Sequence, residues 1–153
     1  MLEQAKVRDA SFMLFQQDML QPLPLADGSA DLVLFSLAVE HVGDLISPLR
    51  EARRLLRPDG TVALIEIHPF LAIENVAAHF RDGAMEVHMP TFPHRFCDYI
   101  NAIAAAGLRI TECREWRPRD FQGPLPEKVL KRGPDAPLLV EFSLRRQCPD
   151  PRK

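Results

Sequence analysis

Residues 32–67 decide the fold, and they read LVLFSLAVEHVGDLISPLREARRLLRPDGTVALIEI. Two runs within them are apolar at nearly every position, Leu32-Val-Leu-Phe35 and Thr61-Val-Ala-Leu-Ile-Glu-Ile67. Such runs are typical of strands that are buried on both faces of a parallel sheet. Between them, residues 44–56 repeat their apolar side chains at helical spacing, and Pro58-Asp-Gly60 ends the helix. The stretch therefore predicts a strand, a helix and a second, parallel strand.

The same patterns extend over the rest of the chain. They predict further strands at Phe12–Gln17, Leu108–Arg114 and Leu138–Arg145, and a helix at Arg95–Ala106. No helix separates the last two strands, so we expect them to pair antiparallel at one edge of the sheet. The predicted fold is α/β, a mostly parallel sheet with an antiparallel last strand and helices on both faces, in a single domain over residues 1–153.

Composition and charge exclude several classes of function. The formal net charge is -2 over 153 residues, so neither a nucleic acid nor an anionic membrane surface is an expected partner. No apolar run approaches the length that spans a bilayer. The histidines at 79, 88 and 94 match no common metal-ligand spacing, and we predict no metal site. Three cysteines, an odd number at no recognisable spacing, indicate reduced thiols in a cytoplasmic protein.

Four segments, taken together, resemble a known family. They are Asp18-Met19, the PLPLADGSADLV stretch over 22–33, Glu40-His-Val42, and the LREARRLLRPDG stretch over 49–60. In this order they resemble class I S-adenosylmethionine-dependent methyltransferases of type 11, similar to the ubiquinone/menaquinone-biosynthesis enzymes. The resemblance implies a Rossmann-like sheet with strand order 3-2-1-4-5-7-6, in which strand seven is antiparallel. The five predicted strands would be the third to the seventh of that sheet.

The resemblance also implies an activity and a site. The activity is methyl transfer from S-adenosyl-L-methionine to a small-molecule acceptor by in-line displacement. Asp18 and Met19 would contact the adenine of this cofactor, Asp18 through its carboxylate and Met19 through its backbone N–H. Ser36, Leu37 and Ala38 would pass beneath the sulfonium. Ligands of open α/β sheets do bind at the carboxyl ends of strands, where these three residues lie.

Two histidines follow predicted strands and are candidate catalytic bases. His41 lies just after the fourth strand of the family's sheet and His68 ends the fifth. An imidazole has a pKa near the working pH and can accept a proton from the acceptor. The alternative for both is a structural role, in which His41 fixes a helix start and His68 a turn beside Pro69. Many methyl transfers need little beyond alignment and proximity.

The front of the sequence departs from the family pattern. It contains no Gly-x-Gly, and no strand is predicted before Phe12. The family's glycine-rich turn and the acidic residue that holds the ribose are therefore unmatched, which leads us to expect an N-terminally truncated domain. Three alternatives stay open: a fragment or misassigned start, a third strand that moves beside the fourth, or a homodimer or partner chain that covers an exposed sheet edge. The alternative function is a catalytically incompetent fragment or partner-completed subunit.

Overall fold

The computed structural model describes residues 2–9, 11–73, 79–83 and 85–147. Met1 and Cys148 lie outside the described residues. The helices are α1 (Leu2–Arg8), α2 (Ile46–Leu55), α3 (Pro69–Ile73), α4 (Phe96–Ala105) and α5 (Glu127–Leu130). The strands are β1 (Ala30–Ser36), β2 (Leu56–Ile67), β3 (His79–Asp82), β4 (Met85–His88), β5 (Leu108–Trp116) and β6 (Leu139–Arg146).

The main sheet has four strands in the order β1-β2-β6-β5. β1 pairs parallel with β2, whereas β6 pairs antiparallel with both β2 and β5. Because β6 opposes both of its neighbours, β5 runs in the same direction as β1 and β2. A separate antiparallel hairpin is formed by β3 and β4. The mixed sheet with its antiparallel last strand confirms the predicted α/β class, and the order corresponds to 4-5-7-6 of the expected sheet. Both core helices, α2 and α4, pack on one face, so helices on both faces remain a prediction.

The prediction of a strand at Phe12–Gln17 is wrong. These residues are irregular, and Phe12, Met13 and Phe15 expose 56%, 77% and 41% of their surface. A strand is stable only when a neighbour accepts and donates its backbone hydrogen bonds, and an apolar run alone does not supply that neighbour. The segment therefore does not pair with β1, and β1 is an edge strand of the described sheet.

The core lies between one face of the sheet and two helices, α2 and α4. The buried sheet residues are alternate positions of β2 and β6, led by Leu64 and Phe142, and Leu49 and Ile103 supply the largest helix contributions. Alternation arises because successive strand side chains point to opposite faces. On the other face of β1, Leu32 and Leu34 remain 60% and 57% exposed.

Parallel strands bring their carboxyl ends to one edge of the sheet. Here the edge carries Ser36, Ile67 and Trp116, the last residues of β1, β2 and β5. Segments that follow these residues form the rim on which ligands bind in open α/β folds. Within the described ranges, no helix is long and apolar enough to cross a bilayer.

Candidate active site

Asp18 and Met19 border a hollow beside β1. The hollow has a volume of about 250 Å³, and its walls come from residues 15–23, from Val33–Phe35 of β1 and from α2. Asp18 caps its own turn, because its Oδ1 accepts the Leu20 N–H at 2.9 Å. Met19 packs partly buried against the core. Both residues thus adjoin the end of β1, although Asp18 follows irregular chain rather than the predicted strand.

Hydrogen bonds and ion pairs join residues 23–27, which lie next to the hollow, to α2. Glu51 accepts the Leu23 N–H at 2.8 Å, and the Arg54 guanidinium donates to the carbonyl oxygens of Leu23 and Leu25. Arg54 also contacts Asp27 and Glu51 at 2.6 Å each. The Arg54 hydrogen bond holds the pKa of Glu51 below its usual range. These contacts anchor a chain segment that has no regular secondary structure.

The turn after β1 is tightly determined. Leu37 has a positive φ of 52°, a conformation that is unusual for a residue with a side chain. Its N–H donates to Ile65 O at 2.9 Å, and the N–H groups of Ala38 and Val39 donate to Glu66 Oε1 at 3.0 Å each. Since all three amides are engaged within the protein, a ligand on this turn would meet side chains and carbonyl oxygens.

Glu66 is the site residue that the sequence analysis missed. It lies next to last in β2 with no exposed surface, and its buried Oε2 has no hydrogen-bond partner within the described ranges. Burial raises the pKa of Glu66, and the hydrogen bonds from the Val39 and Ala38 N–H groups offset part of that rise. In the sequence, Glu66 is a single acidic residue inside the apolar run TVALIEI, on the strand face that Val62 and Leu64 share. Only the interruption of an otherwise apolar run signalled that this residue is unusual.

His41 lies in a short 3-10 turn, Val39–His41, directly beyond the β1 turn. Its Nδ1 is 2.8 Å from Pro90 O, and a carbonyl only accepts, so Nδ1 carries the proton. The neutral ring therefore has its lone pair on Nε2, 3.7 Å from Glu40 Oε1. Burial raises the pKa of Glu40. The tautomer leaves His41 able to accept a proton at Nε2.

His68 has partners on both ring nitrogens. Nδ1 accepts the Phe70 N–H at 3.2 Å, so Nε2 carries the proton that is donated to Glu115 Oε1 at 3.1 Å. The ring is 4% exposed and meets the Phe96 ring edge-on at 5.1 Å. The hydrogen bond from His68 lowers the pKa of Glu115. In this arrangement no lone pair of His68 is free to act as a base.

A second contact network joins residues 90–94 to the turn. The Phe92 N–H donates to Glu40 O at 2.8 Å, and His94 Nε2 lies 2.8 Å from Val42 O. Among the described residues there is no group of three acidic, histidine or cysteine side chains placed to hold a metal ion. The side chains of His79 and His88 are outside those described.

The described residues fit one part of the expected cofactor. The hollow by Asp18 combines apolar walls with a carboxylate, which suits a flat heteroaromatic ring that bears an amine. Ser36, Leu37 and Ala38 follow directly from its Phe35 wall, and Leu37 exposes 44% of its surface. No glycine-rich turn occurs in the sequence to approach the carboxylate end of the cofactor.

Comparison with known proteins supports the family resemblance. Residues 1–64 match the family model described as a methyltransferase domain. The malonyl-(acyl-carrier protein) O-methyltransferase of Dechloromonas aromatica is 54% identical over 50 residues, which are 33% of this chain and 19% of that protein. A ubiquinone/menaquinone biosynthesis C-methyltransferase of a Caulobacter species is 44% identical over 46 residues, 30% of this chain and 18% of that protein. The matched parts of these curated relatives are therefore about a fifth of their length.

Solved structures extend the likeness to nearly the whole chain. An S-adenosylmethionine-dependent methyltransferase of Mesorhizobium loti superposes with a TM-score of 0.67 at 20% identity, covering 95% of this chain and 76% of that one. One from Clostridium acetobutylicum also gives 0.67, at 10% identity, covering 95% of this chain and 70% of that one. The family's cofactor is S-adenosyl-L-methionine. Residues 1–64 thus resemble the methyltransferase domain family, and the chain shares the α/β fold of these solved S-adenosylmethionine-dependent methyltransferases.

Proposed function

We propose that this chain binds the adenine and sulfonium side of S-adenosyl-L-methionine and takes part in methyl transfer to a small-molecule acceptor. The observation that carries the proposal is the junction of two features at the end of β1. One is the hollow beside Asp18 and Met19, and the other is the turn of Ser36, Leu37 and Ala38 that continues from its wall. Both lie where ligands bind in this class of fold.

The cofactor, when bound, supplies an electrophilic methyl group on its sulfonium. The second Asp18 carboxylate oxygen would accept a hydrogen bond from the adenine amine, while Oδ1 keeps its bond to the Leu20 N–H. The exposed Leu37 side chain would cover the sulfonium side and exclude water. The contribution of these residues is alignment and desolvation, which suit a displacement with little other need for catalysis.

We assign proton acceptance to His41 rather than to His68. His41 has its lone pair on Nε2, and a proton taken up there would lie 3.7 Å from Glu40 Oε1. His41→Asn would keep an N–H for Pro90 O while removing the base. We expect this variant to lower turnover roughly 10²–10⁴-fold if the acceptor must lose a proton, with little change in KM.

Calorimetric titration with S-adenosylhomocysteine tests the binding part of the proposal. Asp18→Ala should weaken binding about tenfold or more, because it removes one charge-assisted hydrogen bond of about 1.5 kcal/mol or more. Asp59→Ala is the matched control, since Asp59 is an exposed aspartate at the opposite end of β2. Equal affinity for the two variants would remove Asp18 from the site, and no heat with a folded wild-type chain would remove the binding proposal.

A second candidate is a subunit that binds cofactor only when another polypeptide completes the sheet. The observation that favours it is the outer edge of β1, which has no strand partner among the described residues and carries exposed Leu32 and Leu34. Hydrophobic edge strands of this kind pair readily with other chains. A homodimer or a different partner would complete the sheet.

The free thiols Cys97 and Cys113 suit the cytoplasm, which we propose as the location.

A further inference from the structure

The carboxyl group of Glu66 occupies an unusual position for an acidic residue. It belongs to the core face of β2, on the same side as Val62 and Leu64, and has no exposed surface. Buried carboxyl groups are uncommon unless they are paired, and among the described residues Glu66 Oε2 has no hydrogen-bond partner. Glu66 lies at the carboxyl end of a central strand, on the rim that carries the candidate site.

The two hydrogen bonds of Glu66 converge on a single oxygen. Oε1 accepts the N–H groups of Ala38 and Val39 at 3.0 Å each, whereas Oε2 has no hydrogen-bond partner in the part of the chain that the structure describes. A neutral carboxyl group can accept both bonds through its carbonyl oxygen. Without Glu66, two adjacent N–H groups would be left without these bonds in or near the core, which is costly.

The two hydrogen bonds to Glu66 also constrain the neighbouring residue, Leu37. Leu37 has a φ of 52°, and a non-glycine residue keeps such a conformation only where its surroundings determine it. On one side of it the chain is held by the sheet pairing of Ser36, and on the other by the two Glu66 bonds. The exposed side chain of Leu37 is thereby held in one place on the rim.

We propose that Glu66 is a positioning residue, which uses one carboxyl oxygen to hold the turn at Leu37–Val39 in the shape that receives the cofactor's sulfonium and the acceptor. The proposal deepens the proposed function, since the importance of the turn rests on that function. Glu66 itself touches neither ligand. Its action is transmitted through the backbone of Ala38 and Val39.

Two variants and a matched control test the proposal. Glu66→Gln keeps an acceptor oxygen and should rescue, whereas Glu66→Leu removes it. Leu64→Ala is the control, because it weakens the core on the same strand and face without removing a hydrogen bond of the turn. In amide hydrogen exchange, we expect Ala38 and Val39 to exchange at least tenfold faster in Glu66→Leu than in Glu66→Gln, relative to amides of the β2–β6 ladder. Equal relative protection of the two amides in both variants would overturn the proposal.

Titration of the wild-type chain keeps the test decisive if Glu66→Leu does not fold. The amide signals of Ala38 and Val39 should shift together with pH, and Glu66→Gln should abolish that shift. Glu40 and Tyr99 are the other titratable groups close to the carboxyl, and His41 neighbours Glu40, so Glu40→Gln serves as the comparison variant. A shift that persists in Glu66→Gln and disappears in Glu40→Gln would contradict the role of Glu66.

Affinity for S-adenosylhomocysteine separates the failure of this proposal from that of the proposed function. If folded chain binds and Glu66→Leu weakens binding at least tenfold while Leu64→Ala does not, the role in positioning is supported. If Glu66→Leu binds as tightly as Glu66→Gln, it is overturned. If no variant binds, the proposed function fails, and amide exchange alone decides whether Glu66 holds the turn.

Discussion

Two glutamates at the rim of the sheet respond to opposite influences. Burial raises the pKa of Glu66, whereas hydrogen bonds from His68, and then from Arg117, lower the pKa of Glu115. A raised pKa makes ionisation costly in the folded protein, and a lowered pKa makes the ionised form stabilising. The pH dependence of stability should therefore have opposite signs for the two residues.

Glu66→Gln should remove a loss of stability that develops as the pH rises. The unfolded chain ionises this residue near the ordinary glutamate pKa of about 4.3, whereas the folded chain resists ionisation until the raised pKa. Between these two values the free energy of unfolding of the wild type should fall relative to that of the variant, by about 1.4 kcal/mol for each unit that separates them. Urea unfolding at a series of pH values measures this difference. A constant difference would show that the buried carboxyl has no raised pKa.

Glu115→Gln should have the opposite effect. Glu115 has a lowered folded pKa, so its contribution is present above the unfolded pKa and is lost as the pH falls through the folded one. We expect the variant to be less stable than the wild type at neutral pH and to match it in strong acid. Glu112→Gln, on the same strand and exposed, is the control and should change little at any pH. A wild-type advantage that survives at low pH would contradict the assignment.

Strand β1 corresponds to a central strand of the sheet that the resemblance implies, but it is an edge strand of the described sheet. Its one described strand neighbour is β2, and two leucines on its outward face are more than half exposed. An edge of this kind offers unpaired backbone groups and apolar surface at once. We expect the chain to self-associate through β1 as concentration rises.

A single lysine on this strand should reduce that association. Leu34→Lys places a charge on an exposed position of β1, where it costs little stability and opposes edge-to-edge pairing. Ile110→Lys is the matched control, because Ile110 lies on β5 at the other edge of the same sheet and is 37% exposed. Sedimentation velocity over a range of concentrations measures the effect. A monomeric wild type, or equal loss of association in the two variants, would contradict a role for the β1 edge.

The strands also indicate which features of this fold follow from sequence. Apolar runs predicted β1 and β2 because the two strands are near in the chain and pair with each other, although β1 is not buried on both faces as its run suggested. The similar run at Phe12–Gln17 did not form a strand, because strand formation depends on a neighbour that a local pattern does not reveal. In the candidate site, Ser36–Ala38 and His41 remain predictions that rest on their position and on the resemblance, whereas Glu66 emerged only from burial and two backbone contacts.

The whole molecule combines four strands of the expected sheet with residues suited to one end of the cofactor. The strands β1, β2, β6 and β5 reproduce one side of the methyltransferase fold, and their rim gathers the adenine-side hollow, the Leu37 turn and His41. The contacts expected at the other end of the cofactor, from a glycine-rich turn, have no counterpart in the sequence. We therefore expect the cofactor to contact one part of the rim, the hollow beside Asp18 and the turn at Leu37.

The most direct test is a two-dimensional amide NMR spectrum of the folded chain, recorded with and without S-adenosyl-L-methionine. We expect saturable changes in the amide chemical shifts of Met19, Leu20 and Ser36–Val39. The amide shifts at the opposite end of the sheet, around Asp59 and Arg145, should change little. Shifts that are absent in a well-dispersed spectrum, or that cluster away from the carboxyl ends of β1 and β2, would contradict the proposal that this chain binds the cofactor.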